Sequence, residues 1–220
     1  MTYILHLETS TKVCSVALSL NGNPIALTEN EEDGYSHGEN LTLFIQDVLN
    51  QASISIKELS AVSVASGPGS YTGLRIGVST AKGLCYPLNI PLIAIDSLTS
   101  LAELAKQKHS DTNLCPLIDA RRMEVYNAFY DSKGNQIKVI SADIIDSDSY
   151  LEYEPFVFFG DGAEKLMEIW KDRECTIDPS IKSSASGQIR IAFEKFNKNE
   201  FEDVAYFEPF YLKDFVGGGK

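Results

Sequence analysis

Apolar positions along the chain fall into two rhythms, short β-like runs and longer stripes at helical spacing. Residues 3–8 and 13–20 are dense in apolar and β-branched side chains, and the polar turn Thr9-Ser10-Thr11-Lys12 separates them. Asn21-Gly22-Asn23-Pro24 then turns the chain again, so a meander of strands at about 3–8, 12–20 and 25–30 is predicted. Ser36 and Glu39 have the spacing of a capping box, and Leu41, Phe44, Ile45, Val48, Leu49 and Ala52 recur at helical spacing. A helix over 36–52 follows from both. After a short apolar strand at 61–66, the glycine-rich Gly67-Pro68-Gly69-Ser70-Tyr71-Thr72-Gly73 opens a second helix, which Pro87 is expected to end at about Tyr86. A strand at 91–95 and a helix at 97–108, capped by Asp96 or Ser97, complete the first half.

The second half repeats the first. Leu7-Glu8, a polar turn, a strand and a turn at Gly22 are matched by Ile118-Asp119, the turn Ala120-Arg121-Arg122, a strand at 123–130 and a turn at Gly134. The near-constant offset points to duplication of a β-β-β-α-β-α unit, continuing with strands at about 136–145 and 156–159 and helices at about 163–172 and 184–197. The fold class is therefore α/β, with a first lobe over 1–108, a second over 109–220 and a frayed tail from 213.

Composition narrows the function. Of 220 residues 44% are hydrophobic, so the chain folds; 31 acidic against 19 basic residues leave a net charge of −12, which repels RNA backbones and anionic membranes. The longest apolar run, from Pro91 to Ile95, is far too short for a bilayer, and the start lacks the marks of a secretory signal. Cys14, Cys85, Cys115 and Cys175 form no CxxC pair and read as free thiols of a cytoplasmic protein. His6, His37 and His109 lie on separate elements without metal-binding spacing, and no G-x-S-x-G elbow is present.

Two constellations could carry chemistry. Gly67, Gly69 and Ser70, with Glu8, Thr9 and Ser10 after the first strand and Asp119 and Arg121 after its repeat, have the layout of a phosphate loop and cleft. The Walker lysine and GxGxxG are absent, and tight turns that bind nothing explain the same glycines. Strand-end acids such as Glu8 and Asp119 either hold magnesium or cap their turns, and Arg121 with Arg122 either pairs internally or meets an anionic partner. The second constellation is a helix face. Leu74, Val78, Ala81 and Cys85 make a core stripe, and opposite lie the small residues Thr72, Ser79, Thr80 and Gly83 around Ile76. Gly73, Gly77 and Gly83 each cost about 0.5–1 kcal/mol in a helix, and close approach by another backbone would offset this, from within the chain or from a partner.

These residues carry a resemblance. Leu7-Glu8-Thr9-Ser10-Thr11, the run SGPGSYTGLRIGVSTAKGL from Ser66 to Leu84, Ile118-Asp119-Ala120-Arg121 with Glu124-Val125-Tyr126, and Glu208-Pro209-Phe210-Tyr211-Leu212 together resemble the TsaB (YeaZ) family, partners in bacterial tRNA threonylcarbamoyladenosine synthesis. The resemblance implies the two-lobed fold of actin, Hsp70 and sugar kinases. It implies a non-catalytic scaffold for a TsaD-like enzyme that modifies adenosine 37 of tRNA, with a TsaE-like ATPase reached through the complex and tRNA met only indirectly. The chain alone would bind no cofactor; ATP and metal would sit on the partner subunits. The implied interface is Leu43, Thr72, Ile76, Ser79, Thr80 and Gly83, a face that a homodimer could also use. Where TsaD-like chains place metal-binding histidines this chain has Asp96-Ser97-Leu98-Thr99, and it has Glu8 where the family commonly has Asp. Gly160-Asp161-Gly162-Ala163, where nucleotide-binding relatives hold adenosine, reads as a tight turn. The alternatives are a stand-alone actin-like ATPase or kinase and, more remotely, a glycoprotease-like peptidase.

Overall fold

Two five-stranded mixed sheets with one and the same strand order frame the chain, whose computed structural model describes residues 1–31, 37–106 and 108–213. The first holds β1 (Tyr3–Glu8), β2 (Val13–Leu20), β3 (Asn23–Glu31), β4 (Leu59–Gly67) and β5 (Leu92–Asp96) in the order β3-β2-β1-β4-β5. The second holds β6 (Asn113–Asp119), β7 (Glu124–Tyr130), β8 (Gln136–Ile144), β9 (Phe156–Phe159) and β10 (Cys175–Ile177) in the order β8-β7-β6-β9-β10. In each, an antiparallel meander leads into parallel pairing of the first strand with the fourth and of the fourth with the fifth. The duplication read from the sequence is thus present strand for strand.

The central strands are buried nearly throughout and mostly apolar because both of their faces are covered. On one face of the first sheet, α1 (His37–Ala52) and α2 (Tyr71–Leu88) pack Leu41, Ile45, Val48, Val78 and Ala81 against Leu5, Leu7, Val62 and Val64. On the other, α4 (Ile189–Lys198) sets Ala192 against Ile4, Ala61, Ile93 and Ile95. α3 (Ser97–Lys106) lays Leu98, Leu101, Ala102 and Ala105 on Leu114, Ile118, Val157 and Phe159 of the second sheet. The last helix of each repeat therefore packs on the sheet of the other, which ties the halves together.

Several expectations are corrected. α2 does not end at Tyr86: it runs through Pro87 to Leu88, because only the one bond that Pro87 cannot donate is lost, and it stops where Asn89 turns left-handed and donates to Cys85 and Tyr86 carbonyls. α3 stops at Lys106, and Lys108 and His109 both donate back to Ala105. No helix forms over 163–172, where a 3-10 turn (Glu164–Leu166) and further turns stand instead. The expected helix at 184–197 is a 3-10 turn (Ala185–Gln188) followed by α4. β10 is an unpredicted strand, and strand 61–66 is longer at both ends. The capping box at Ser36 lies outside the described residues, as does the tail beyond Lys213, and Lys213 itself is fixed by pairing with Glu124.

Candidate functional site

The glycine-rich turn between β4 and α2 is filled by its own chain. Ser70 N–H donates to the Ser10 carbonyl at 2.7 Å, and Gly67 N–H and Gly73 N–H donate to the Ser97 and Ser70 hydroxyls at 3.2 Å. These are N–H groups that a phosphate would need. A Cβ on Gly69 would run into the Ser10 carbonyl, and one on Gly67 would stand 2.5 Å from the Phe210 carbonyl oxygen. Both glycines have positive φ, 109° at Gly67 and 159° at Gly69, so here glycine serves conformation and close approach together. Thr9 seals the next turn: its hydroxyl donates to Gly73 O at 2.8 Å, and any side chain at Gly73 or Gly77 would collide with Thr9. Half of the small-residue puzzle in α2 is thereby answered from within the chain.

Glu8 is buried at 1% exposure. Its Oε1 accepts from Ser10 N–H at 2.8 Å and the Ser10 hydroxyl at 2.5 Å, and burial pushes its carboxyl up against the pull of those bonds and one from Gln188. Gln188, on the turn before α4, also donates Nε2–H to the Leu7 carbonyl at 2.8 Å and accepts from the Ser63 hydroxyl at 2.7 Å. Ser63 lies 2.7 Å from His6 Nδ1, and His6 Nε2 lies 2.8 Å from the Ser19 hydroxyl. Burial drives His6 down to about 3, so the ring is neutral. This chain of buried polar groups joins Gln188 of the second repeat to β1, β2 and β4 of the first. The sequence reading missed it; the signal available was polar His6, Ser19 and Ser63 inside otherwise apolar strands.

Asp119, the exposed last residue of β6, and Arg121 on the turn after it differ from Glu8 in being open to solvent. Asp119 Oδ1 accepts from Arg121 N–H at 3.0 Å, and its carboxylate pairs with Lys165. Arg121 and Arg122 are both left-handed, with φ of 71° and 51°. The turn at Gly160 closes on β6, with Gly162 N–H donating to Leu117 O at 3.2 Å and Asp161 accepting from Asp119 N–H at 3.0 Å. At the end of β5, Asp96 caps α3 by accepting from Thr99 N–H at 2.8 Å. Burial raises the Asp96 carboxyl to about 6, with the Thr99 bonds pulling the other way.

The other constellation is open. On α1 Leu43 is 57% exposed, and on α2 Thr72, Ser79 and Gly83 are exposed with Ile76 and Thr80 half-buried beside them. Ile76 reaches back toward α1, its Cδ1 4.0 Å from where a Cβ on Gly38 would stand. Among the described residues nothing lies within 4 Å of the Cβ position of Gly83. The internal contacts that explain Gly73 and Gly77 leave Gly83 unexplained.

Comparison with known proteins gives a consistent picture. A protein-family model described as TsaD, tRNA N6-adenosine threonylcarbamoyltransferase, matches residues 31–214. The tRNA threonylcarbamoyladenosine biosynthesis protein TsaB of Escherichia coli K12 is 29% identical over 99% of this chain and 97% of its own length. TsaB of Bacillus subtilis is 36% identical over 64% of this chain and 60% of its own. Among solved structures, YeaZ from Pseudomonas aeruginosa superposes with a TM-score of 0.82 at 26% identity, covering 96% of this chain and all of that one. The activator of 2-hydroxyisocaproyl-CoA dehydratase from Clostridium difficile, solved with bound ADPNP, shares the fold at a TM-score of 0.54 and 10% identity over 92% of this chain and 99% of its own. With the duplicated sheets, these likenesses give the two-lobed actin-like α/β fold expected from the sequence.

Proposed function

The chain belongs to the TsaB (YeaZ) family of tRNA threonylcarbamoyladenosine biosynthesis proteins, and from that premise we propose that it is a non-catalytic subunit that docks a TsaD-like enzyme on the outer face of α1 and α2. The observation that carries the reading is the contrast within α2. Thr9 stands against Gly73 and Gly77, while among the described residues nothing stands against Gly83, which shares a helix face with half-buried Ile76, and Leu43 on α1 is exposed. Small residues there let a partner helix come close, and Ile76 gives the contact an apolar centre. The filled turn at Gly67–Gly73 and the Glu8–Gln188 bond support a chain without nucleotide chemistry of its own. They do not fit a phosphate. The reading leaves ATP and metal to the partner subunits, a TsaE-like ATPase among them, and leaves tRNA to be met through the complex.

Calorimetry with a TsaD-like subunit tests this. Ile76→Asp should weaken association by about 2–5 kcal/mol with a modest fall in melting temperature, since Ile76 is half-buried against the core, and Gly83→Arg should weaken it by as much without lowering the melting temperature. Normal binding by either variant removes the face from the interface. A homodimer on the same face would be disrupted by the same variants and would appear as concentration-dependent mass in the partner's absence. The second reading, an actin-like ATPase, requires tight ATP–magnesium binding and turnover by the chain alone.

A further inference from the structure

The segment 199–213 forms a strap along α2 and is fastened throughout. Glu202 N–H donates to the Leu92 carbonyl at 2.9 Å, Lys82 Nζ donates to the carbonyls of Ala205 at 3.0 Å and Phe207 at 3.1 Å, and Phe210 N–H donates to Ser66 O at 2.7 Å. Further on, Arg75 Nε donates to the Tyr211 hydroxyl at 3.3 Å, and the rings of Tyr71 and Tyr211 stand 4.6 Å apart. Held in this way, the strap is a fixed wall.

At about 100° per residue, Arg75 and Lys82 mark the side of α2 that faces the strap, and Ile76 and Thr80 the side that faces α1. Ser79, Gly83 and Tyr86 lie on the ridge between them. Lys82, one turn before Tyr86, grips the carbonyls on either side of Tyr206, so two large rings flank the same end of the helix. Tyr86 is 81% exposed and Tyr206 is 84% exposed. Between the end of α2 and the strap lies an open cavity of about 340 Å³, lined by Cys85, Tyr86, Asn89, Ile90, Pro91 and Val204. Its lining holds no formal charge.

Charge indicates the occupant. Over 199–212 the chain carries Glu200, Glu202, Asp203 and Glu208 and no Lys or Arg; among the described residues none of the four is in an ion pair, while Glu208 attracts Arg75 and Asp203 Oδ1 accepts from the N–H groups of Ala205 and Tyr206. Exposed tyrosines beside this stretch, whose only charges are negative, with Glu202 and Asp203 next to the lining residue Val204, suit an arginine or lysine: the stem packs on rings and apolar lining, and the cationic head meets the acids.

We propose that the strap and the end of α2 form the second wall of the docking site and receive a cationic segment of the TsaD-like subunit, a Lys or Arg side chain entering the cavity between Tyr86 and Val204. This rests on the docking reading given above and adds the chemistry of the partner.

The test titrates the full chain with the TsaD-like subunit of the same organism by calorimetry, at low and at high salt. Tyr206→Ala should bind about tenfold more weakly at an unchanged melting temperature, since the ring is 84% exposed and outside the core. The double variant Glu202→Lys/Glu208→Lys should lose about tenfold at low salt and approach the wild type at high salt. Ile76→Asp is measured in parallel. If Ile76→Asp abolishes binding while both strap variants bind like the wild type, the strap proposal falls and the α1–α2 reading stands. Wild-type binding by all of these variants removes both. A strap defect that salt does not alter refutes the cationic occupant, and loss of self-association in place of partner binding would assign the wall to a second copy.

Discussion

The two lobes share a strand order and differ in what covers it. In the first, α1 and α2 fill the connections from β3 to β4 and from β4 to β5, and their apolar stripes close one face of the sheet. In the second, the same connections hold only short 3-10 turns, and rings take the place of helices. Phe129, Tyr150, Phe156, Phe158 and Trp170 form one buried cluster there, with Trp170 edge-on to Phe156 at 5.6 Å and to Phe158 at 5.2 Å. An aromatic side chain buries about 150–250 Å², so a few rings supply the area of a helical stripe. A duplicated frame can therefore lose two helices and keep its core, but it then loses the outer helical face. That difference places the proposed docking surface on one lobe only.

The comparison breaks most sharply at Trp170. If rings replace helices, truncating the largest ring should cost as much as emptying a helical core position. Trp170 is 1% exposed, and its Nε1–H donates to the Asp146 carbonyl at 3.1 Å. Trp170→Ala should destabilise by about 3–5 kcal/mol, and Leu74→Ala in α2 by about 2–5 kcal/mol, both read from denaturant midpoints. A loss under about 1 kcal/mol at Trp170 would mean that the aromatic cover is an ornament on a sheet held by other contacts.

The first lobe also holds two buried groups that respond to pH in opposite senses. His6 sits between Ser63 and Ser19 in the first sheet with a folded value of about 3 against an ordinary 6.5. The unfolded chain takes up this proton first, so the contribution is fully present above pH 6.5 and is lost as pH falls toward 3. The slope approaches about 1.4 kcal/mol per pH unit in that window. Asp96, raised to about 6, works in the opposite sense, since its native form gains a proton first as pH falls. The comparison of wild type with His6→Gln isolates the histidine: the variant's melting temperature should fall less steeply between pH 6 and 4. Parallel curves would show that His6 is protonated with little cost.

Much of the frame was legible because local pattern and final environment agree. β1 and β2 are dense in apolar and β-branched residues, as burial of both faces requires, and α1 and α2 carry single apolar stripes that face one sheet. The segment after Gly160 misled because Glu164, Lys165, Leu166 and Met167 are good helix formers. In the structure they make successive three-residue turns, Ala163 to Gly160, Leu166 to Ala163, Met167 to Glu164 and Ile169 to Leu166, which bring Trp170 under the sheet. Tertiary packing overrides propensity there. Gln188 was illegible for another reason: its bond to Leu7 spans 181 positions, and no local pattern carries such a contact. The small residues of α2 were seen, but not that they serve two masters, since Thr9 meets Gly73 and Gly77 only through the register of β1 with β4.

The smallest expected effect is the most discriminating. Gly73 and Gly83 lie on one helix, and a methyl group at each tests opposite ideas. At Gly73 it would strike the Thr9 carbonyl, a backbone atom that cannot swing aside, so Gly73→Ala should destabilise by about 1–3 kcal/mol with or without a partner. At Gly83 it meets nothing within 4 Å among the described residues, so Gly83→Ala should gain the ordinary helix preference, stabilising the free chain by about 0.5–1 kcal/mol. A residue that costs stability when free and is not needed for internal packing has its reason elsewhere. Gly83→Ala should therefore melt slightly higher alone and bind the TsaD-like subunit more weakly, by about 1 kcal/mol, because one methyl group holds the backbones apart. Higher melting with unchanged binding would leave Gly83 an unoptimised surface position and confine the docking contact to Ile76 and its neighbours on α1.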